Sequence, residues 1–203
     1  AVGLLRGVVP TLTVAETKAA ILDTVDPVSS LDGKTVTGGR LNLFNALASV
    51  AGVVISADDS LTSNKANDGV ADNYVLKRDG ADLVALVDGL ETVRIQNSLV
   101  DNITVIGSDD ADTLLVDHRS GLVNAAIVFN AVGNNNVLET NGDLDFTLAD
   151  NTLSVPGTSG LTMFEVDTAV ATGGPSANTL DATDFTEGSV HFDGSDGDDT
   201  LLG

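Results

Sequence analysis

A short triplet, Asp or Asn followed by Thr and Leu, recurs through the carboxy-terminal two thirds of the chain and constrains its fold more than any other feature. It is clear at Asp112-Thr113-Leu114, Asn178-Thr179-Leu180 and Asp199-Thr200-Leu201, with a looser version at Asn136-Val137-Leu138. Two further segments, Gly89 to Ile95 and Gly160 to Val166, share a Gly-Leu-x-x-apolar-x-apolar pattern. Taken as landmarks, the leucines stand at 90, 114, 138, 161, 180 and 201, separated by 24, 24, 23, 19 and 21 residues. Intervals of this size are those of a solenoid, in which each repeat buries its apolar side only by stacking on its neighbours. The runs Ile103–Ile106 and Ala126–Phe129, and the alternation Leu144-Asp145-Phe146-Thr147-Leu148, read as strands, and no helical period appears beyond about residue 70. The expected fold class is therefore mainly β: a short helical amino-terminal segment, then a parallel β-solenoid or β-helix-like region. A β-sandwich is the competing arrangement.

Composition agrees with thin, repetitive layers. Aromatic residues make up 3% of the 203, Trp is absent and there are 21 Gly, so a core has to be built from Val, Leu, Ile and Ala between tight turns. Residues 1–50 balance four Lys and Arg against four Asp and Glu, so the net charge of −21 lies wholly beyond them. After Arg119 no Lys or Arg follows, against thirteen acids. Such a surface repels nucleic acid and anionic membranes and attracts cations. Of the thirty acids twenty-five are Asp, a residue of turns and metal loops. No apolar run is long enough to span a bilayer, and no initiator Met or leader pattern opens the chain. The chain is expected to be an internal piece of a longer one. Cysteine is absent, which leaves divalent cations as a source of cross-bracing for an extracellular or cell-surface protein.

The first fifty residues carry helix signals. Ala1 to Leu5 reads as the last turns of an apolar helix. Thr13-Val14-Ala15-Glu16 is a capping box opening a helix over about 14–24, which ends before Asp26-Pro27. Gly38-Gly39 leads into a second amphipathic helix over Arg40–Leu47. In this order the pieces resemble the carboxy end of a subtilisin-like serine peptidase domain: small residues and Leu after the nucleophile helix, a Thr-x-x-Glu-x-Lys helix at Thr13, Glu16 and Lys18, and Gly-Gly-Arg-Leu-Asn at Gly38 to Asn42. The resemblance covers about a quarter of the chain and implies a secreted endopeptidase acting on protein substrates. Its Ser, His and Asp would all lie upstream of the matched segment, so this chain alone is expected to lack catalytic residues. Gly157-Thr158-Ser159 mimics the nucleophile motif but continues as Gly160-Leu161. Asp117-His118 with Ser120 reads as a solvated turn, and His191 as the outward residue of a strand.

Gly194-Ser195-Asp196-Gly197-Asp198-Asp199-Thr200-Leu201-Leu202 resembles one nonapeptide of the calcium-binding RTX repeats, departing only where Ser195 replaces the second Gly. The resemblance implies a Ca2+ site using Gly194, Asp196, Gly197 and Asp199. In that family the ion sits between two stacked turns; with the next repeat due at Gly203, a weak half-site is expected. Gly173 to Leu180 and Gly107 to Leu114 keep the frame without the central Gly and read as non-binding repeats. The expected organisation is thus the end of a peptidase domain over 1–50, a polar linker over 51–70 and an acidic β region over 71–203. A structural or adhesive surface protein without peptidase activity is the alternative.

Overall fold

The computed structural model describes residues 1–59 and 63–203. Three short helices come first. α1 (Val2–Val8) is followed by α2 (Val14–Leu22), which opens on the expected capping box. The Thr13 hydroxyl accepts from Glu16 N–H at 3.2 Å and the Glu16 carboxylate accepts from Thr13 N–H at 2.8 Å. Beyond it β1 (Asp26–Pro27) pairs antiparallel with β2 (Gly39–Arg40). The last helix, α3 (Leu43–Ala51), starts three residues later than the sequence pattern suggests. Arg40 is held in the strand pair by Asp26 at 2.9 Å, and Asn42 becomes the N-cap, its Oδ1 accepting from Asn45 N–H at 2.9 Å. Leu5, Leu12, Ala20 and Ala46 form a small helical cluster, while Ala48 on α3 belongs to the β core.

The remainder is mainly β. Its strands are β3 (Val53–Ser56), β4 (Asn73–Asp79), β5 (Asp82–Val87), β6 (Leu90–Gln96), β7 (Asn102–Ile106), β8 (Thr113–Asp117), β9 (Ala126–Asn130) and β10 (Val137–Asn141). β11 (Phe146–Ala149), β12 (Thr152–Ser154), β13 (Leu161–Phe164), β14 (Thr168–Thr172), β15 (Thr179–Asp184), β16 (Ser189–Asp193) and β17 (Thr200–Leu202) complete it. Two mostly parallel sheets result. One has the order β16-β14-β10-β8-β4-β5-β6, the other β17-β15-β11-β12-β13-β9-β7-β3. From β7 onward the chain passes from one sheet to the other and back, with β12 and β13 added before the return to β14. β3 falls in the stretch expected to be a polar linker; it pairs in parallel with β7, because Val53 and Ile55 complete the apolar end of that sheet. Residues 60–62 of that stretch lie outside the described residues.

Alternation along the strands explains the core. In β8, β9, β10 and β14 every second residue is buried, so Leu114 and Val116, Ile127 and Phe129, Leu138, and Ala169 and Ala171 meet in one cluster spanning both sheets. Truncating a fully buried member such as Leu114 to Ala would cost about 2–5 kcal/mol. The leucine landmarks do not form a single file. Leu114 pairs with Leu138 in one sheet and Leu180 with Leu201 in the other, whereas Leu161 pairs with Ile127 and Leu90 with Val87 in an antiparallel hairpin. The near-constant spacing therefore mixes two ladders, whose true steps are lengthened where β5 and β6 or β12 and β13 are inserted.

Candidate functional site

The Asx residues of the recurring triplets sit at the turns that lead into strands, and there they build hydrogen-bonded columns. Asp112 before β8, Asn136 before β10 and Asp167 before β14 are stacked by the strand register. Asp112 N–H donates to Asn136 Oδ1 and Asn136 N–H to Asp167 Oδ2, both at 2.9 Å. The backbone runs beside them: Val137 N–H donates to Asp112 O at 2.8 Å and Ser189 N–H to Asp167 O at 2.9 Å. Within its own turn Asp112 also accepts from the backbone N–H of Ser108 and, at 3.2 Å, from its hydroxyl. Asp72 begins this column before β4, and Thr113 N–H donates to its carbonyl at 2.9 Å.

The second column lies at the turns into the other sheet and contains the expected calcium residues. Turns 173–178 and 194–199 are stacked, as β15 and β17 pair Thr179 with Thr200 and Leu180 with Leu201. Asn178 N–H donates to Asp199 Oδ1 at 2.8 Å, and Thr200 N–H to Asn178 O at 2.9 Å. Gly197 has φ +123, and a Cβ there would lie 2.5 Å from Ser176 O of the neighbouring turn, so glycine is needed on both counts. Gly194 is needed because a side chain would enter the Asp199 carboxylate. Ser195, the departure from the repeat pattern, takes φ 65 and donates its hydroxyl to Gly173 O at 3.2 Å. Asp196 and Asp198 are exposed on the same turn. On the other side of the stack Asp143 accepts from Ser176 N–H at 3.0 Å and from its hydroxyl at 2.8 Å, which holds its carboxyl below the usual range.

Three of the four expected ligand residues thus shape the contact between turns, and Asp199 also spends one oxygen on the column. Among the described residues no three His, Cys, Asp or Glu side chains converge as a metal-holding group. Turn 107–112 keeps the same frame, with Asp112 in the place of Asp199.

The residues that imitate a serine peptidase have other roles. His118 is a correction to the expected solvated turn: it is 7% exposed, its Nδ1 accepts from Val123 N–H at 3.3 Å, and burial pushes its pKa down to about 4. The turn after β8 folds inward because Val123 and Ala125 beside it belong to the core. Asp117 pairs with Arg119 at 2.7 Å, not with His118. Thr158 caps its own turn by donating to Val155 O at 2.9 Å, and Ser159 is exposed. No hydrogen bond joins His118 to Ser120 or Ser159 among the described residues. His191 is exposed on β16, as its alternation suggests.

Asp72 is the residue that sequence reasoning missed. It is fully buried and neither carboxylate oxygen has a hydrogen-bond partner. Burial, reinforced by Asp112, Asp88 and Asp110, raises its pKa to about 6; the Ser108 hydroxyl offsets part of this but already donates to Asp112. The Asx-before-strand position was visible at Asp72-Asn73, though without the Thr-Leu that marks the other triplets. Comparison with models of protein families, with curated proteins and with solved structures returns no match.

Proposed function

We propose that residues 71–203 form a parallel β-solenoid that serves as a calcium-binding accessory extension of a secreted subtilisin-like serine endopeptidase, spacing and stabilising the enzyme outside the cell. The observation that carries this reading is the direct stacking of turn 194–199 on turn 173–178, with Gly197 against the Ser176 carbonyl. Passage of the chain between two sheets in register, and Asx columns that repeat at the turns, also support a solenoid. Calcium takes hard oxygen ligands, and Asp196 and Asp199, with the carbonyls of Gly194 and Gly197, would offer them at this turn. The ion would relieve repulsion within a region that has no bases after Arg119, and so favour the folded form by mass action. The peptidase parentage rests on the resemblance of residues 1–50. One observation favours the structural or adhesive alternative: Ala48 of α3 packs into the β core, as an integral cap would.

Thermal melts of the chain in millimolar CaCl2, against NaCl of equal ionic strength, test the proposal. The expected result is a specific rise with Ca2+ and a dissociation constant of roughly 10⁻⁴–10⁻³ M, as in extracellular modules. Asp199→Ala should remove the specific part, and Asp196→Asn should weaken it without disturbing the Asn178 bond. Equal effects of both salts, or an Asp196→Asn protein that responds like the parent, would leave the turn purely architectural.

A further inference from the structure

A groove of about 770 Å³ lies at the starts of β7, β9 and β13, several strands away from the turn before β17. Its size is that of a small-molecule or oligomer subsite. Asn102, Asn124 and Ser159 line it, one from each of these three strand starts. β7, β9 and β13 lie side by side, so three adjacent strands supply these three polar groups. Arg78 and Asn97 complete the groove from the β4 and β6 ends of the other sheet, and Asp101 stands at its rim.

Two of these side chains are fixed yet incompletely used. Asn97 is 6% exposed; its backbone N–H donates to Ala81 O at 3.0 Å and its carbonyl accepts from Val100 N–H, while its buried Oδ1 has no partner. Arg78 donates Nη1 to Leu122 O at 3.1 Å and Nη2 to Gly80 O at 2.7 Å, leaving a buried Nε–H unpaired. A buried acceptor and a buried donor of this kind are unfavourable when left unpaired, and both residues belong to the lining of one groove. A hydroxyl group both donates and accepts, and so suits this pairing.

The lining also narrows the ligand class. It has no aromatic side chain on which a base could stack and few apolar positions for peptide side chains. Its single cation is committed to two carbonyls beside the acid Asp101, which disfavours phosphate and sulfate. Amides, two hydroxyls and one guanidinium in one groove fit a neutral polyhydroxylated chain. We propose that this groove binds a neutral oligosaccharide, with Asn97 and Arg78 at its floor and Asn102, Asn124 and Ser159 along its length. The site is independent of the calcium and peptidase readings.

Calorimetric titration of the whole chain with maltohexaose, cellohexaose, laminarihexaose and chitohexaose tests it, with inorganic sulfate as the anion control. At least one hexasaccharide should bind saturably and sulfate should not. Asn97→Leu, which keeps the approximate shape and removes the Oδ1 acceptor, should weaken binding about tenfold, the equivalent of one hydrogen bond. Asn124→Ala and Ser159→Ala, at exposed positions that carry no packing, should weaken it with an unchanged melting temperature, and Asp181→Asn on β15 should do nothing. Absence of saturable heat with all four sugars at millimolar concentration, affinity untouched by Asn124→Ala and Ser159→Ala, or tighter binding of sulfate would each overturn the proposal.

Discussion

Both carboxylate oxygens of Asp72 are buried without a donor, in a pocket where the charged groups acting on it are Asp112, Asp88 and Asp110. Burial makes ionisation costly, so its folded pKa of about 6 lies above the ordinary 3.8. The sign follows from linkage: a carboxyl raised on folding gives its full stability below the unfolded value and loses it as pH rises through the folded one. His118 works in the opposite sense, since a folded pKa of about 4, against an ordinary 6.5, removes stability as pH falls from 6.5 towards 4. Asp72→Asn should therefore stabilise the protein by about 1–3 kcal/mol at pH 8 and by almost nothing at pH 4. Melting temperatures across this range would check it. A gain that is equal at both ends would mean that shape, not charge, is at issue.

At the scale of elements, α1 and α2 are held differently from α3. Leu5, Leu12 and Ala20 pack in a small cluster of their own, whereas α3 contributes Ala46 to that cluster and Ala48 to the β core. Val2, Leu4, Val8 and Val14 remain exposed. Limited proteolysis should cut first between α1 and α3, leaving a resistant product that begins near α3; initial cleavage within the strands beyond Asn102 would contradict this ordering. The capping box and the alternation in β11 were legible in the sequence because each is a local rule satisfied by residues a few positions apart. The late start of α3 was not, since it depends on Arg40 meeting Asp26 from fourteen residues away. Nor was the division of the leucines between two ladders, because inserted strands alter the spacing without altering the triplets. The turn around Gly197 was legible through its glycines, but the burial of Asp72 arises only when β4 and β8 come together.

Across the whole molecule the columns of Asx residues join turns that are distant in sequence, and their composition is not uniform. Asn136 is fully buried between Asp112 and Asp167. Its amide nitrogen donates to Val132 O and Glu165 O, both at 3.1 Å, while its oxygen accepts from Asp112. An amide alone does both without charge, and an amide ages. Spontaneous deamidation would withdraw two donors, turn two carbonyls towards a new anion and set a fourth acid in the column. Asn136→Asp reproduces that lesion and should cost about 2–4 kcal/mol, lowering the melting temperature by several degrees for a chain of this size. Calorimetric melts of Asn136→Asp beside the parent should show this drop, and equal midpoints would mean that the column adds no stability. The exchange of one nitrogen for one oxygen at the centre of the ladder would then be felt by every turn tied to it, however many strands lie on either side.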